Sequence, residues 1–199
     1  LSHSMKESSF VKQIEVIQDK LGTTLYIYDT NKATITFDDG YLNQYLVASR
    51  IMNDKNIKGY FFCTANVIND NQAFIMDRLQ YWFSYVPKGV YNLDEINIVL
   101  NIKNKESRKI EWQKISDIIG PIEIERIEKL LDDKYPFKDI KINKEFGNLR
   151  FRGISKEQIL EMKENGHKIG AHSTNHKRLS IMDDVELKKD IDICRNMLD

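Results

Sequence analysis

The 199-residue sequence predicts an α/β fold built on a parallel sheet. Two apolar runs, 33–37 and 58–64, flank one amphipathic helix. A strand, a helix and a strand within about thirty residues place the two strands parallel. A third predicted strand, 167–172, follows a further helix near the end of the chain. Together these three observations favour helices packed against parallel strands.

The first half of the chain alternates between helical and extended patterns. Phe10, Ile14 and Ile17 share one face of a helix, and Gly22 follows as its stop signal. The next segments are rich in β-branched and aromatic residues, which is typical of strands. In chain order the predicted elements are a helix ending at Leu21, strands over 25–28 and 33–37, a helix over 42–52 and a buried strand over 58–64.

Residues 65–148 are predicted to form a mainly helical insertion with a solvated face rich in Lys and Glu. The alternation within Val90–Ile102 fits either a strand or part of a helix. The aromatic residues Trp82, Phe83 and Tyr85 form a stripe on the first helix of this insertion, and we interpret the stripe as core rather than as a sugar-stacking surface. Three helices are marked by Ile75, Leu79, Trp82 and Val86, by Trp112, Ile115 and Ile119, and by Ile124, Ile127 and Leu131, the last opening at Pro121.

The α/β pattern returns after residue 149. Ser155 and Gln158 form a capping box at the start of a helix, and Asn165-Gly166 ends it. The strand over 167–172 comes next. The last predicted helix has one apolar stripe, which consists of Leu187, Ile191, Cys194 and Leu198.

The composition excludes several classes of function. Thirty basic and 30 acidic residues leave no net charge, so there is no electrostatic footprint for nucleic acid or an anionic membrane. Cys63 and Cys194 form no C-x-x-C pair and are interpreted as buried or free thiols. No transmembrane segment and no signal peptide are predicted.

Two polar clusters follow predicted strands. Asp38 and Asp39 come directly after one strand, and Gly40 allows the chain to turn there. His172 and His176 follow another strand, and their four-residue spacing lets both imidazoles reach one metal ion if the segment forms a helical turn. Asp39 is the candidate third ligand. Taken separately, the first cluster also fits an ordinary turn and the second a solvated helix end.

These motifs resemble those of a known family. Thr36-Phe37-Asp38-Asp39-Gly40, followed by Gly-His-x-Ile-Gly-x-His-Ser-x-x-His over 166–176, is similar to the first two motifs of the polysaccharide deacetylase family, also called the NodB-homology or carbohydrate esterase 4 family. The resemblance implies a parallel (β/α) barrel of the distorted seven-stranded deacetylase type. It also implies an acetylated glycan as the substrate.

The resemblance further implies a role for each site residue. Asp38 is expected to be the general base, and Asp39, His172 and His176 are expected to bind a divalent metal, usually zinc, with cobalt or nickel as alternatives. A metal-bound water would then hydrolyse acetyl groups on N-acetylated sugars of a polysaccharide or cell-envelope glycan. The family's later motifs, including an Arg and a late His that acts as general acid, have no counterpart here, and His167 is a poor substitute. A non-catalytic, metal-containing carbohydrate-binding or regulatory protein is therefore the alternative, and a metal-free scaffold is a third hypothesis.

The motifs divide the chain into four expected segments. Residues 1–22 comprise a cloning remnant and a helix, 23–64 the first part of the deacetylase core, 65–148 the insertion and 149–199 the second part. The two core segments hold about 115 residues, whereas complete parallel barrels need about 200 or more. We therefore expect an incomplete barrel that self-associates through an open sheet edge. The resemblance suggests the cell envelope or secretion, whereas the missing signal peptide suggests the cytoplasm.

Overall fold

The computed structural model describes residues 5–68, 74–119, 122–139, 152–177 and 179–198. The chain divides into two compact units. The first consists of residues 1–72 and 148–199, and it contains both polar clusters identified in the sequence. The second consists of residues 73–147.

The described elements alternate between helices and short strands. The strands are β1 (Thr36–Phe37), β2 (Tyr60–Cys63), β3 (Gly89–Leu93), β4 (Ile98–Ile102) and β5 (Lys168–Ala171). The α-helices are α1 (Glu7–Lys20), α2 (Arg50–Asp54), α3 (Ile75–Tyr85), α4 (Lys105–Ile118), α5 (Ile124–Lys134), α6 (Lys156–Glu164) and α7 (Asp184–Leu198). A π-helical segment, Gln44–Ser49, leads directly into α2.

The first unit is built on a parallel sheet in the order β1-β2-β5. Phe37 lies opposite Phe61, and Cys63 lies opposite Ala171. This arrangement confirms the predicted α/β class and the parallel strand pair. Within the described residues the sheet has three strands and does not close into a barrel.

The core of the first unit lies between the sheet and its helices. Ile14, on the predicted apolar face of α1, is buried, and the Phe37 and Phe61 rings stack with centroids 4.7 Å apart. Full burial of each large apolar side chain contributes about 1.5–3 kcal/mol. The buried cluster consists of Ile14, Met52, Ile57, Phe61, Cys63, Ile154, Ile159 and Met162.

The predicted strand over 25–28 is wrong. These residues form turns, and Tyr28 is 74% exposed. Asp29 Oδ1 accepts a hydrogen bond from the Asn31 amide, which closes a local turn. A high content of β-branched and aromatic residues favours a strand only where the side chains can pack on neighbours, and this segment has no such surface.

The capping box at the start of α6 is confirmed. Ser155 Oγ accepts a hydrogen bond from the Gln158 amide at 3.3 Å, and Gln158 Oε1 accepts one from the Ser155 amide at 2.9 Å. Gly166 ends the following turn with a φ of +88°.

The predicted apolar stripe of α7 is wrong at one position. Ile191 is 50% exposed, whereas Asp190 and Cys194 are buried. Leu187 is half-buried, and the side chain of Leu198 lies outside the described part of the helix. A carboxylate therefore occupies a position on the buried face of α7.

In its described residues, the second unit combines the α-helices α3, α4 and α5 with a β-hairpin. The segment that fitted either a strand or a helix is resolved as two antiparallel strands, with Gly89 opposite Ile102. Asn97, between the strands, adopts a left-handed φ of 53°, which asparagine tolerates well. The expected helix start at Pro121 lies outside the described residues, and α5 begins at Ile124.

The aromatic stripe of α3 belongs mainly to the core of the second unit. Trp82 and Phe83 are buried, and Trp82 Nε1 donates a hydrogen bond to the Tyr135 carbonyl at 2.9 Å. Tyr85 is exposed. The core interpretation therefore holds for Trp82 and Phe83 but not for Tyr85.

Close packing before β2 predicts a strict requirement for glycine. A Cβ on Gly59 would lie 2.7 Å from the Ile35 carbonyl oxygen. That oxygen cannot move freely because it accepts a hydrogen bond from the Tyr60 amide. We expect Gly59→Ala to lower the free energy of unfolding by about 1–3 kcal/mol in urea titrations. Gly89→Ala, whose Cβ would meet nothing closer than 3.5 Å, is the control, and equal losses in the two variants would contradict the argument.

His167 lies in the core beneath the sheet. Its Nδ1 accepts a hydrogen bond from the Gly59 amide at 3.2 Å, and its ring meets the Phe61 ring edge-on. Burial, assisted by the charge of Lys58 and partly opposed by the Ser49 backbone, lowers the pKa of His167 to about 4. The imidazole is therefore neutral in the folded protein at neutral pH.

This depressed pKa predicts a loss of stability in mild acid. An unfolded histidine titrates near pH 6.5, so between about pH 6.5 and 4 the unfolded chain binds more protons than the folded one. The His167 contribution is fully present above pH 6.5 and declines as the pH falls towards 4. In His167→Gln, which retains a hydrogen-bond acceptor but does not titrate, we expect a shallower pH dependence of unfolding over this window. If the free energy of unfolding varies with pH in the same way in both proteins, His167 is not the cause of the acid destabilisation.

Candidate metal centre

The turn after β1 is formed by two consecutive left-handed residues. Asp39 has a φ of 78° and Gly40 a φ of 82°, so the expected turn begins one residue before the glycine. A Cβ on Gly40 would lie 3.1 Å from Cys63 Cβ, so a side chain there would be crowded as well as strained. Asp38 is exposed, and its carbonyl accepts a hydrogen bond from Gln44 Nε2.

Neighbouring backbone holds this turn on both sides. The Thr64 amide donates to the Asp39 carbonyl at 3.0 Å, and the Ile154 amide donates to the Gly40 carbonyl at 3.0 Å. The Leu42 amide donates to the Arg152 carbonyl at 2.7 Å. The carboxylate of Asp39 therefore projects from a backbone that both core segments of the first unit restrain.

The helical turn expected over 172–176 is wrong. The segment is an irregular loop, in which Ser173 has a φ of 59° and His176 a φ of 57°. The backbone groups that a helix would use internally instead bond across to the segment after β2. In chain order, His172 N donates to Cys63 O at 2.9 Å, Ala65 N to Ser173 O at 3.1 Å and Asn66 N to Thr174 O at 3.0 Å.

Side chains complete the attachment of this loop. Thr64 Oγ1 donates to the His172 carbonyl at 3.2 Å, and Asn66 Nδ2 donates to Asn175 Oδ1. On the other side, Asp190 Oδ1 accepts a hydrogen bond from the Thr174 amide at 2.8 Å. Sequence reasoning missed Thr64, Asn66 and Asp190. Two features of the sequence could have indicated them. Thr64 and Asn66 are polar residues that follow a buried strand, and Asp190 is a charged residue on the buried face of a helix.

The loop conformation brings the three predicted metal ligands together. Asp39 Oδ1 lies 3.4 Å from His172 Nε2 and 3.2 Å from His176 Nε2. One ligand atom from each of the three residues lies within 4.8 Å of the others. All three side chains are partly exposed, so the cluster is open to solvent on one side.

The donor set fits a divalent metal ion such as zinc. Asp39 Oδ1 is buried and accepts no hydrogen bond from the described residues, although two imidazole nitrogens face it. A cation placed between these three groups would be bound by one carboxylate oxygen and two imidazole nitrogens. Ligand atoms of a tetrahedral zinc ion with bonds of about 2.0–2.1 Å lie about 3.3 Å apart, which matches the two observed distances. Two histidines and one carboxylate leave a fourth position for water or substrate.

The other candidate groups do not join this cluster. Cys63 and Cys194 are free and buried, as predicted. Burial raises the pKa of the Cys63 thiol to about 12, which disfavours the thiolate that a metal would require. His167 is engaged in the core. Asp38 directly precedes the cluster in the chain but is not one of its three members.

Comparison with known proteins gives one informative result. No curated protein and no solved structure matches the chain. Among the described residues, no helix has both the length and the apolar character needed to cross a membrane. The family model described as polysaccharide deacetylase matches residues 28–199, a range that includes both halves of the candidate metal centre. The chain therefore belongs to the polysaccharide deacetylase family.

Proposed function

We propose that the protein is a metal-dependent hydrolase that removes acetyl groups from N-acetylated sugars of a polysaccharide or cell-envelope glycan. Membership of the family supports a deacetylase-like hydrolase and a glycan substrate. The observation that carries the metal dependence is the convergence of Asp39, His172 and His176 around a buried, unbonded carboxylate oxygen. Zinc is the preferred ion, with cobalt and nickel as alternatives.

The three ligands have complementary roles in this proposal. Asp39 supplies a hard anionic oxygen, and His172 and His176 supply neutral imidazole nitrogens, so the site retains a net positive charge when a divalent ion is bound. A bound ion would polarise the acetyl carbonyl and lower the pKa of a water molecule. The solvent-open side of the cluster provides access for the N-acetyl group.

Asp38 is the proposed general base. Its side chain is exposed and directly precedes the ligand Asp39, while the hydrogen bond from Gln44 restrains its backbone. Asp38 takes a proton from the attacking water as the new oxygen–carbon bond forms at the acetyl carbonyl. The carbon–nitrogen bond then breaks, and the proton held by Asp38 is available to the departing amine. The products are acetate and a free amino sugar.

A second function is favoured by the position of His167. This histidine lies in the core with Nδ1 engaged by Gly59, so it cannot serve as a general acid. A metal-containing carbohydrate-binding or regulatory protein would not require such an acid. Both functions include a bound metal ion, but only the hydrolase releases acetate from its substrate.

Metal binding tests the proposed ligands directly. We expect the purified protein to bind about one equivalent of zinc or cobalt, and His172→Ala and His176→Ala each to weaken the affinity by more than about 100-fold. Elemental analysis after dialysis and the visible absorption of bound cobalt measure this loss. His167→Gln replaces a histidine that is buried in the core, away from the three ligands, and should bind metal normally. Equal metal content in all variants would exclude the proposed ligand set.

Asp38→Asn separates catalysis from binding. We expect the variant to retain its metal and its affinity for N-acetylated chito-oligosaccharides, while acetate release falls by about 10²–10⁴-fold. Asp19→Asn, which changes an exposed carboxylate of α1, should match the unsubstituted protein. Unchanged acetate release in Asp38→Asn would refute the role as base. Sugar binding without turnover in the unsubstituted protein would favour the second function.

A further inference from the structure

A buried carboxylate on α7 has no role in the chemistry described so far. Asp190 is only 8% exposed and takes the inward position that the apolar pattern predicted for Ile191. Burying a carboxylate carries a large desolvation cost unless hydrogen bonds satisfy its oxygens. Its contacts therefore indicate what this residue stabilises.

Both oxygens of the Asp190 carboxylate are engaged. Oδ1 accepts a hydrogen bond from the Thr174 amide at 2.8 Å, and Oδ2 accepts one from the Cys194 thiol at 3.8 Å. Burial is the main cause that raises the pKa of Cys194, so the thiol retains the proton that it donates. The Asp190 carbonyl also accepts a hydrogen bond from Thr174 Oγ1 at 3.3 Å.

Thr174 lies midway between the two candidate histidine ligands. It is two residues from His172 and two from His176, and its carbonyl accepts a hydrogen bond from the Asn66 amide. The loop is therefore attached to the segment after β2 on one side and to Asp190 on the other.

The loop needs such attachment because its backbone is unfavourable. Ser173 and His176 both adopt left-handed conformations, which are unfavourable for residues other than glycine. An apolar residue at position 190 would avoid the desolvation cost of a buried carboxylate. It would, however, leave the buried Thr174 amide without its hydrogen-bond partner, which destabilises the loop.

We propose that Asp190 is a positioning residue that holds the 172–176 loop in the metal-binding conformation before the ion arrives. This inference rests on the proposed metal centre and deepens it. Asp190 acts through the backbone of Thr174 and does not contact the ion. Groups that orient metal ligands in this way typically change metal affinity by about 10–100-fold when they are removed.

Three variants test the proposal through metal affinity. In Asp190→Ala we expect cobalt and zinc to bind about 10–100-fold more weakly. In Asp190→Asn the amide oxygen can accept the same hydrogen bond, so the affinity should remain close to that of the unsubstituted protein. Asp192→Ala, which removes an exposed carboxylate from the same helix, should have no effect.

A destabilised control separates positioning from general loss of stability. Ile159→Val trims the core of the same unit and should lower the urea midpoint of unfolding while leaving the metal affinity intact. If it weakens metal binding as much as Asp190→Ala does, the specific role of Asp190 is wrong. If Asp190→Ala binds metal normally, the positioning role is wrong and the metal centre stands. If the unsubstituted protein binds no metal, the proposed function itself fails.

Amide exchange gives a second test that needs no variant. In the metal-free protein we expect the Thr174 amide to exchange slowly with solvent, because Asp190 holds it in a buried hydrogen bond. Rapid exchange of this amide in a folded protein would overturn the proposal, even if Asp190→Ala does not fold.

Discussion

The candidate metal centre depends on the short backbone segment from Cys63 to Asn66. The Thr64 amide bonds to Asp39, while its hydroxyl bonds to the carbonyl of His172. Thr64 is almost fully buried, so these bonds are shielded from competing water. One residue at the end of β2 thus connects two ligand-bearing segments that are 133 positions apart in the chain. The position of the ligands follows from this shared hydrogen-bond partner.

The backbone strain of the described residues is concentrated at the same site. Five residues other than glycine have a positive φ, and two of them, Asn56 and Asn97, are asparagines, a residue type that tolerates this conformation. The other three are Asp39, whose residue type also tolerates this conformation, and Ser173 and His176, and all three belong to the turn and the loop that carry the candidate ligands. Unfavourable conformations of this kind persist only where the surroundings enforce them, and they cluster at functional sites. Here backbone hydrogen bonds hold these conformations in place. They are donated by the amides of Thr64, Ala65 and Asn66, and by the Thr174 amide to Asp190.

The two units show which sequence signals are reliable. The capping box and the glycine stop predicted α6 well, because both signals describe bonds between residues close in the chain. Strand-like composition failed at Tyr26 and Tyr28, which are exposed and pair with no strand among the described residues. The 89–102 segment fitted two structures, and its pairing as a hairpin decided between them. Local patterns thus predicted elements best where the stabilising contacts were themselves local.

The sequence by itself determined the family, the parallel direction of the strands and the choice of the three candidate ligands, because these follow from residue types and from the spacings within each motif. Only the tertiary structure decided how the ligands meet. His172 and His176 converge through an irregular loop and not through a helical turn, since its backbone groups bond to the segment after β2. Asp190, predicted by no motif, holds that loop from the opposite side. These hydrogen bonds join groups that are distant in the chain, so the local pattern of residues cannot predict them.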